Sequence, residues 1–251
     1  MQKTKIKDIV LGLNNLSMQE VLEFLVKKAS GKASKTFVVT VNPEIIVLTL
    51  NDSDYEKVIN SANLRTVDGI GVVLAGKLFG KSFKERIHGV DLIEKLCEAV
   101  AKQPITVGFL GGGPVVAELA AECLMTKYPG LRVAFAVDEA DRLQQTDYSQ
   151  AVVGSQKAAS SISADILFVA FGSPKQEKWI FENLPKLDVR IAIGVGGSFD
   201  FISGRVRRAP KFIRSLGLEW LFRLIIQPWR IKRQLKLLGF LILLIREKLS
   251  L

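Results

Sequence analysis

The sequence predicts an α/β fold: a doubly wound, mainly parallel, Rossmann-like sheet that carries a basic helical appendage at its C-terminal end. Short apolar runs rich in β-branched residues recur along the chain and alternate with helix-like segments. These runs are apolar on both faces, which is typical of parallel strands covered by helices on both sides. After residue 204 the strand signal stops, and only basic, leucine-rich helical sequence remains.

Five runs are expected to form strands, and polar or glycine residues follow most of them directly. In a doubly wound sheet, ligands bind at the carboxyl ends of the strands, so these following residues are the first place to look for a site. The expected strands are TFVVTV (36–41), ITVGFLG (105–111), LRVAFAV (131–137), DILFVAFG (165–172) and VRIAIGVGG (189–197).

The helices between the strands are marked by capping and proline signals. Ser17 and Glu20 form a capping box, in which each side chain satisfies a backbone N–H of the other's residue. Pro114 and Pro174 stand where a first helical turn tolerates proline, because the N–H that proline lacks would be unpaired there. Asp52 is expected to cap a further helix, since aspartate is a favoured N-cap residue.

All of the excess positive charge lies in residues 205–251, which we call the appendage. This segment holds twelve Lys and Arg against two Glu, and the whole chain has a net charge of +10, so residues 1–204, the body, are neutral. The longest apolar run covers residues 237–245, well short of the roughly 20 residues that a spanning helix needs. We expect the appendage to lie on an anionic membrane surface without crossing it. Self-association in solution is another way to cover its apolar face.

Composition and cysteine spacing argue against several other classes of protein. A pI of about 9.6 also suits a nucleic-acid binder. No nucleic-acid-binding module is recognisable, however, and the basic residues are mixed with a lipid-like apolar face, so no nucleic-acid partner is expected. Cys97 and Cys123 lack metal-site spacing and are expected to be buried free thiols. The N-terminus lacks the apolar core of a signal peptide, so secretion is not expected.

Two features past the strand ends each permit two interpretations. Gly111, Gly112 and Gly113 form either a phosphate cradle at a helix start or a plain tight turn. Together with Asp138 they half-match a dinucleotide fingerprint, which keeps an NAD(P)-dependent oxidoreductase as an alternative. Asp68 is either the cap of the following helix or a general base in a cleft.

Histidine and metal-binding signals are sparse. His88 is the single histidine, and a structural hydrogen-bonding role is the commoner one for such a residue. No carboxylate pair has the spacing that holds a divalent ion beside a diphosphate, except Asp52 and Asp54, which belong to a helix start. Arginine suits phosphate oxygens because its guanidinium donates in a planar fork. A diphosphate substrate would therefore be neutralised by arginines of the appendage.

Taken together, seven blocks resemble the WecG/TagA/CpsF family of bacterial glycosyltransferases over about residues 8 to 235. The resemblance implies transfer of a sugar, typically N-acetylmannosamine, from UDP to undecaprenyl-diphosphate-linked GlcNAc. It places the reaction at the cytoplasmic face of the bacterial cell membrane, in teichoic acid or surface polysaccharide synthesis. The blocks, in chain order, are TVNPEII, VDGIGVV, ERIHGVDL, FGSPKQEKWI, GVGGSFDFISG, RAPKFIRSLGLEWLFRL and QPWRIKRQ.

The resemblance also implies mechanistic details. The family inverts the anomeric centre and needs no metal or other cofactor, and a different UDP-hexose donor is the alternative within the same reaction class. Asp68 matches the proposed base. The segment 137–140 departs from the family pattern after the third strand, which leaves the uracil contact undefined. The other implied substrate-binding residues are Thr40, Asn42, Arg86, Gln176, Asp200, Arg223, Arg230 and Arg233.

Overall fold

Six parallel strands form one sheet in the structure, a computed structural model that describes residues 4–31, 34–138 and 162–249. Their order across the sheet is β2-β1-β6-β5-β3-β4. The strands are β1 (Thr36–Val41), β2 (Leu64–Val67), β3 (Thr106–Gly111), β4 (Arg132–Val137), β5 (Ser163–Ala170) and β6 (Asp188–Gly194).

The connections confirm the doubly wound α/β prediction. The chain moves outward from β1 to β2 at one edge and from β3 to β4 at the other, so the winding reverses within the sheet. All five expected strands are present. The sixth, β2, was missed because it has only four residues, and the half-buried Arg65 interrupts its apolar pattern.

Helices cover both faces of the sheet and form the appendage. Helices α2, α6, α7 and α9 lie on one face, and α1, α3, α4, α5, α8 and α12 lie on the other. The helices are α1 (Ile6–Leu11), α2 (Met18–Ser30), α3 (Pro43–Asn51), α4 (Ser53–Asn60), α5 (Ile70–Leu78), α6 (Gly89–Val100), α7 (Val116–Lys127), α8 (Lys175–Asn183), α9 (Phe199–Ile202), α10 (Lys211–Ser215), α11 (Glu219–Ile226) and α12 (Ile231–Leu249).

Most of the expected helix starts are confirmed. Ser17 and Glu20 form the capping box of α2. The Asp52 carboxylate accepts from two backbone N–H groups of α4, at 3.0 and 2.9 Å. Helix α8 begins directly after Pro174. Helix α7 begins two residues later than expected, because Val115 has a φ of 56° and cannot join a right-handed helix.

Successive side chains of each strand point to opposite faces of the sheet, and this divides the core into two layers. In β1, Val38 packs with the layer under α2 and α6, whereas Phe37 and Val39 pack with the layer on the opposite face. Cys97 is buried in the first layer, and this burial raises the pKa of its thiol. Cys123 is exposed, so the prediction of a second buried thiol is wrong. It lies on the outward face of α7.

The appendage ends in a long helix that packs against the body. A short 3₁₀ turn at Pro228–Arg230 separates α11 from α12, as the proline predicts. Helix α12 packs mainly on α3 and also contacts α5 and α1. Its Phe240 and Leu244 are buried in the second core layer. The Glu247 carboxylate accepts hydrogen bonds from the backbone N–H groups of Ile6 and Lys7, the first two residues of α1.

None of the helices in the described ranges combines the length and the hydropathy that crossing a bilayer requires. This agrees with the short apolar run in the sequence.

Candidate active site

A cavity of about 640 Å³ opens at the carboxyl ends of the parallel strands, and we call it the main cavity. Its floor comes from the body, from the loops that follow β1, β2, β5 and β6. Its outer wall comes from α11 and α12 of the appendage. The floor supplies most of the polar side chains of the cavity, whereas the wall presents mainly leucine, isoleucine and tryptophan side chains. The appendage therefore lies over the strand ends.

Asp68 and His88 form a hydrogen-bonded pair in this floor. The His88 Nδ1 atom lies 2.7 Å from the Asp68 Oδ1 atom. Asp68 follows β2, and its backbone N–H donates to the carbonyl of Val41, which continues the sheet register by one residue. The helix-cap interpretation of Asp68 is wrong, because Gly69 occupies the cap position of α5 and no side chain caps that helix. The carboxylate is thus directed to the imidazole.

The surroundings of His88 favour its protonated form. Burial alone would lower the pKa of the imidazole, but the nearby carboxylates outweigh it, and the pKa of His88 is raised. Asp68 contributes most, and Glu219 and Asp91 add to it. Arg208 joins these two acids, since it makes a two-pronged contact to Asp91 at 2.7 Å and also contacts Glu219 at 3.2 Å.

Thr40 and Asn42 line the cavity where β1 ends. The Thr40 hydroxyl donates to the carbonyl of Gly194 at 3.3 Å and so ties β1 to β6. The Asn42 side-chain carbonyl accepts from the backbone N–H of Ile45 at 3.0 Å and caps α3. Because capping occupies the oxygen, the side-chain NH₂ group of Asn42 is the part suited to a ligand.

Gln176 also lines the cavity, but its amide holds the floor together. Its Oε1 accepts from the backbone N–H groups of Gly172 at 3.2 Å and Gly196 at 2.9 Å. Its Nε2 donates to Glu177 at 2.6 Å. Glu177 is fully buried, which raises the pKa of its carboxyl, and it also accepts from Tyr55 at 2.9 Å. Gln176 therefore fixes the loops after β5 and β6 relative to each other.

Two predicted arginines reach the main cavity by different routes. Arg86 precedes α6 and donates to the backbone carbonyl of Arg214 at 3.0 Å, so it also anchors α10. Arg223 projects from α11, and its guanidinium contacts Asp200 at 2.9 Å and packs over the ring of Phe201. Asp200 itself stands behind Arg223 and is not part of the cavity surface.

The glycine at position 197 makes room for Arg223. A Cβ atom there would come within 2.8 Å of the Arg223 guanidinium. Arg223 is therefore seated against the backbone that follows β6. From there its guanidinium can contact an anion bound in the main cavity.

The predicted glycine cradle lies outside the surface of the main cavity. Gly111, Gly112 and Gly113 all have positive φ. A Cβ at Gly111 would meet Phe171 at 2.8 Å, and one at Gly112 would meet Phe199 at 3.2 Å, whereas Gly113 faces open space. Packing thus requires glycine at positions 111 and 112, whereas Gly113 leaves open space above the end of β3.

The remaining predicted positions are only partly described. The structure describes the backbones of Arg230 and Arg233 but not their side chains, so these two predictions lie outside the described side chains. Asp138 is buried at the end of β4. The residues that follow it, 139–161, are not described.

Sequence reasoning missed Arg208, Glu177 and the pairing of His88 with Asp68. His88 and Asp68 are 20 residues apart, and only the return of the chain after α5 brings them together. Arg208 was counted as one of many appendage charges. A possible signal for Glu177 was its position next to Gln176, in a helix that follows a strand end.

The sheet is parallel, and the cavity at its strand ends combines a carboxylate paired to an imidazole with an arginine seated on a glycine turn. These features indicate an α/β enzyme with an anionic substrate. The family comparison specifies it. Residues 6–251 match the family described as "Glycosyl transferase WecG/TagA/CpsF family", and the chain belongs to this family of glycosyltransferases.

Two curated relatives carry the same name, N-acetylglucosaminyldiphosphoundecaprenol N-acetyl-beta-D-mannosaminyltransferase. The protein from Bacillus subtilis is 32% identical over 234 residues, which cover 93% of this chain and 88% of the relative. The protein from Bacillus spizizenii is 37% identical over 205 residues, which cover 80% of this chain and 75% of the relative. Membership in this family sets aside the oxidoreductase alternative.

Proposed function

We propose that this enzyme transfers N-acetylmannosamine from a UDP-sugar to GlcNAc linked to undecaprenyl diphosphate, with inversion of the anomeric centre. The observation that carries the proposal is the layout of the main cavity, in which a polar floor with the Asp68–His88 pair meets an apolar wall. A polar floor suits a nucleotide-sugar, and an apolar wall suits an acceptor that is anchored in a bilayer. The names of the two relatives specify the acceptor and the transferred sugar.

Asp68 is the proposed general base. The acceptor hydroxyl attacks the anomeric carbon, a new C–O bond forms, and the bond to the UDP oxygen breaks. The hydroxyl proton passes to the Asp68 carboxylate as the attack proceeds. His88 donates to the same carboxylate and holds it in one orientation, so it acts as a positioning residue.

The leaving diphosphate gains negative charge, and appendage arginines are proposed to stabilise it. Arg223 is the described candidate, together with the backbone N–H group of Gly197 beside it. The amides of Gly111 to Gly113 are a further proposed contact for the nucleotide. Asp200 is proposed to exchange its contact with Arg223 for one with the ribose. Because arginines supply the charge, we expect transfer to be insensitive to EDTA.

The appendage is proposed to dock on the inner face of the cell membrane. Exposed side chains such as Ile225, Trp229 and Ile245 form an apolar surface on α11, α12 and the turn between them, next to many basic residues. Such a surface inserts at the headgroup boundary while Lys and Arg meet anionic lipids. Docking there would bring the main cavity to the lipid-linked acceptor.

A donor screen tests the proposal. Purified enzyme is incubated with a synthetic polyprenyl-diphosphate GlcNAc and a panel of UDP-sugars, with and without EDTA, and products are identified by mass spectrometry. We expect a disaccharide product from UDP-N-acetylmannosamine. Replacement of Asp68 by Asn should lower turnover by about 10²-fold or more, with UDP binding retained.

The matched control is Asp54→Asn, which removes the same charge from a side chain that is 79% exposed on α4. It should behave like the wild type. Transfer of another hexose would keep the reaction class and change the donor. Near-normal turnover of Asp68→Asn would remove Asp68 from the role of base.

A further inference from the structure

A second cavity of about 670 Å³ lies beside the main cavity, on the other side of Arg86 and His88. It is formed by the start of α6 and by α10, and Arg86, His88 and Arg208 border both cavities. A ligand in the second cavity would therefore lie next to His88, the hydrogen-bond partner of the proposed base, without occupying the donor site.

The second cavity has a surplus of positive charge. Five basic and three acidic side chains line it. Arg208 is neutralised by Asp91 and Glu219, and Lys127 is paired with Glu94 at 3.1 Å. Three cations, namely Arg86, Lys211 and Arg214, are left to face the cavity against one acid, Glu85.

These cations retain donors for a ligand. Lys211 makes no ion pair or hydrogen bond with any residue in the described ranges. The Nε atom of Arg214 is buried and has no hydrogen-bond partner there. Arg214 only reaches Asp91 at 3.5 Å, beyond a good hydrogen bond. Arg214 lines the cavity, so the other donors of its guanidinium can bind an anion there through charge-assisted hydrogen bonds.

The same short helix joins this cavity to the apolar surface. Phe212 and Leu216, on and just after α10, are 65% and 64% exposed. Cationic side chains thus point into the cavity while neighbouring apolar side chains face outward. A lipid whose phosphate enters the cavity could rest its hydrocarbon chain on Phe212 and Leu216.

We propose that the second cavity binds a phosphate group carried by a lipid at the membrane surface. Two sources share this chemistry, the diphosphate of the acceptor and the phosphate of an anionic phospholipid. An acceptor diphosphate here would lie apart from the leaving diphosphate, which separates like charges and suits attack from the opposite side. The proposal rests on the membrane docking of the proposed function.

The test uses full-length enzyme and two double variants that remove equal charge from the appendage. The first is Lys211→Ala with Arg214→Ala. The matched control is Arg205→Ala with Arg207→Ala, both exposed and bordering neither cavity. Calorimetry with inorganic diphosphate, at saturating UDP, measures the second cavity without requiring sugar transfer. We expect the first variant to bind at least about tenfold more weakly than the control.

Two further measurements distinguish the sources. A short-chain polyprenyl-diphosphate GlcNAc in detergent, without phospholipid, reports the acceptor through its KM. Flotation with vesicles of phosphatidylcholine and phosphatidylglycerol reports the phospholipid. A selective loss in the first variant in either measurement supports the proposal and names the source. Equal behaviour of the two double variants in all three measurements would overturn it.

A conservative variant guards against misfolding. Lys211→Arg with Arg214→Lys keeps both charges and should retain most of the diphosphate binding, and its thermal unfolding should match that of the wild type. If the wild type transfers no sugar but the diphosphate pattern holds, the proposed function fails and the second site stands. If transfer occurs and the double variants bind alike, the second site alone fails.

Discussion

The body and the appendage use their side chains in opposite ways. In the body, α6 buries seven of its twelve residues, whereas α10 and α11 of the appendage bury none. The appendage nevertheless supplies Arg223 and Trp220 to the main cavity. The body therefore supplies most of the packing that stabilises the fold. The appendage supplies much of the surface that completes the site.

Removal of residues 205–251 should produce the largest effect. We expect loss of all measurable transfer and of vesicle binding, because the outer wall and Arg223 are removed together. The body should keep its sheet, with lower stability, since Phe240 and Leu244 leave the second core layer. Mass spectrometry, flotation and circular dichroism measure these three properties. A truncated protein that still transfers sugar to the lipid-linked acceptor would show that the appendage is not needed to complete the site.

Substitution of a single arginine tests whether the position of a charge in the appendage matters for transfer. Arg223→Ala should lower kcat/KM by about 10²-fold, as expected for loss of one donor to a developing negative charge. Arg207→Ala removes the same charge from an exposed position and should change kcat/KM little. Steady-state kinetics with both substrates varied provides the measurement. Equal losses in the two variants would mean that only the total charge of the appendage matters.

The two faces of α12 should separate stability from membrane affinity. Phe240→Ala should lower the free energy of unfolding by about 3 kcal/mol, because it empties a buried site. Ile242 is 45% exposed on the same helix. Ile242→Ala should leave stability within about 0.5 kcal/mol and weaken vesicle binding instead. Denaturant unfolding measures the stability of each variant, and flotation measures its vesicle binding. A larger loss of stability in Ile242→Ala than in Phe240→Ala would contradict the packing of α12.

The smallest expected effect concerns pH. The pKa of His88 is raised in the folded protein, so its protonation stabilises the fold below about pH 6.5, its ordinary value. This contribution is lost as the pH rises through the raised pKa. The stability difference between the wild type and His88→Gln should therefore shrink as the pH rises above about 6.5. A difference that is constant across this range would show that folding does not shift the pKa of His88.

The sequence predicted the body well and the cavity only in part. Strands apolar on both faces, such as β1, are recognisable because every residue points into packed surroundings. Thr40, Asn42 and Gln176 line one cavity, as their positions at or just after strand ends predict, and Arg86, expected only from the family resemblance, lines it too. Pairings across distant segments were not predictable, and the contact between Asp68 and His88 depends on how the chain returns after α5.

The contact of Glu247 with α1 has a consequence for synthesis of the protein. The first backbone N–H groups of α1 obtain this partner only from the last described helix. A nascent chain therefore carries an unfinished N-terminal helix until α12 has left the ribosome. Since α12 is also proposed to bear lipid-facing side chains, the pairing of α1 and the completion of the proposed membrane surface depend on synthesis of the same helix.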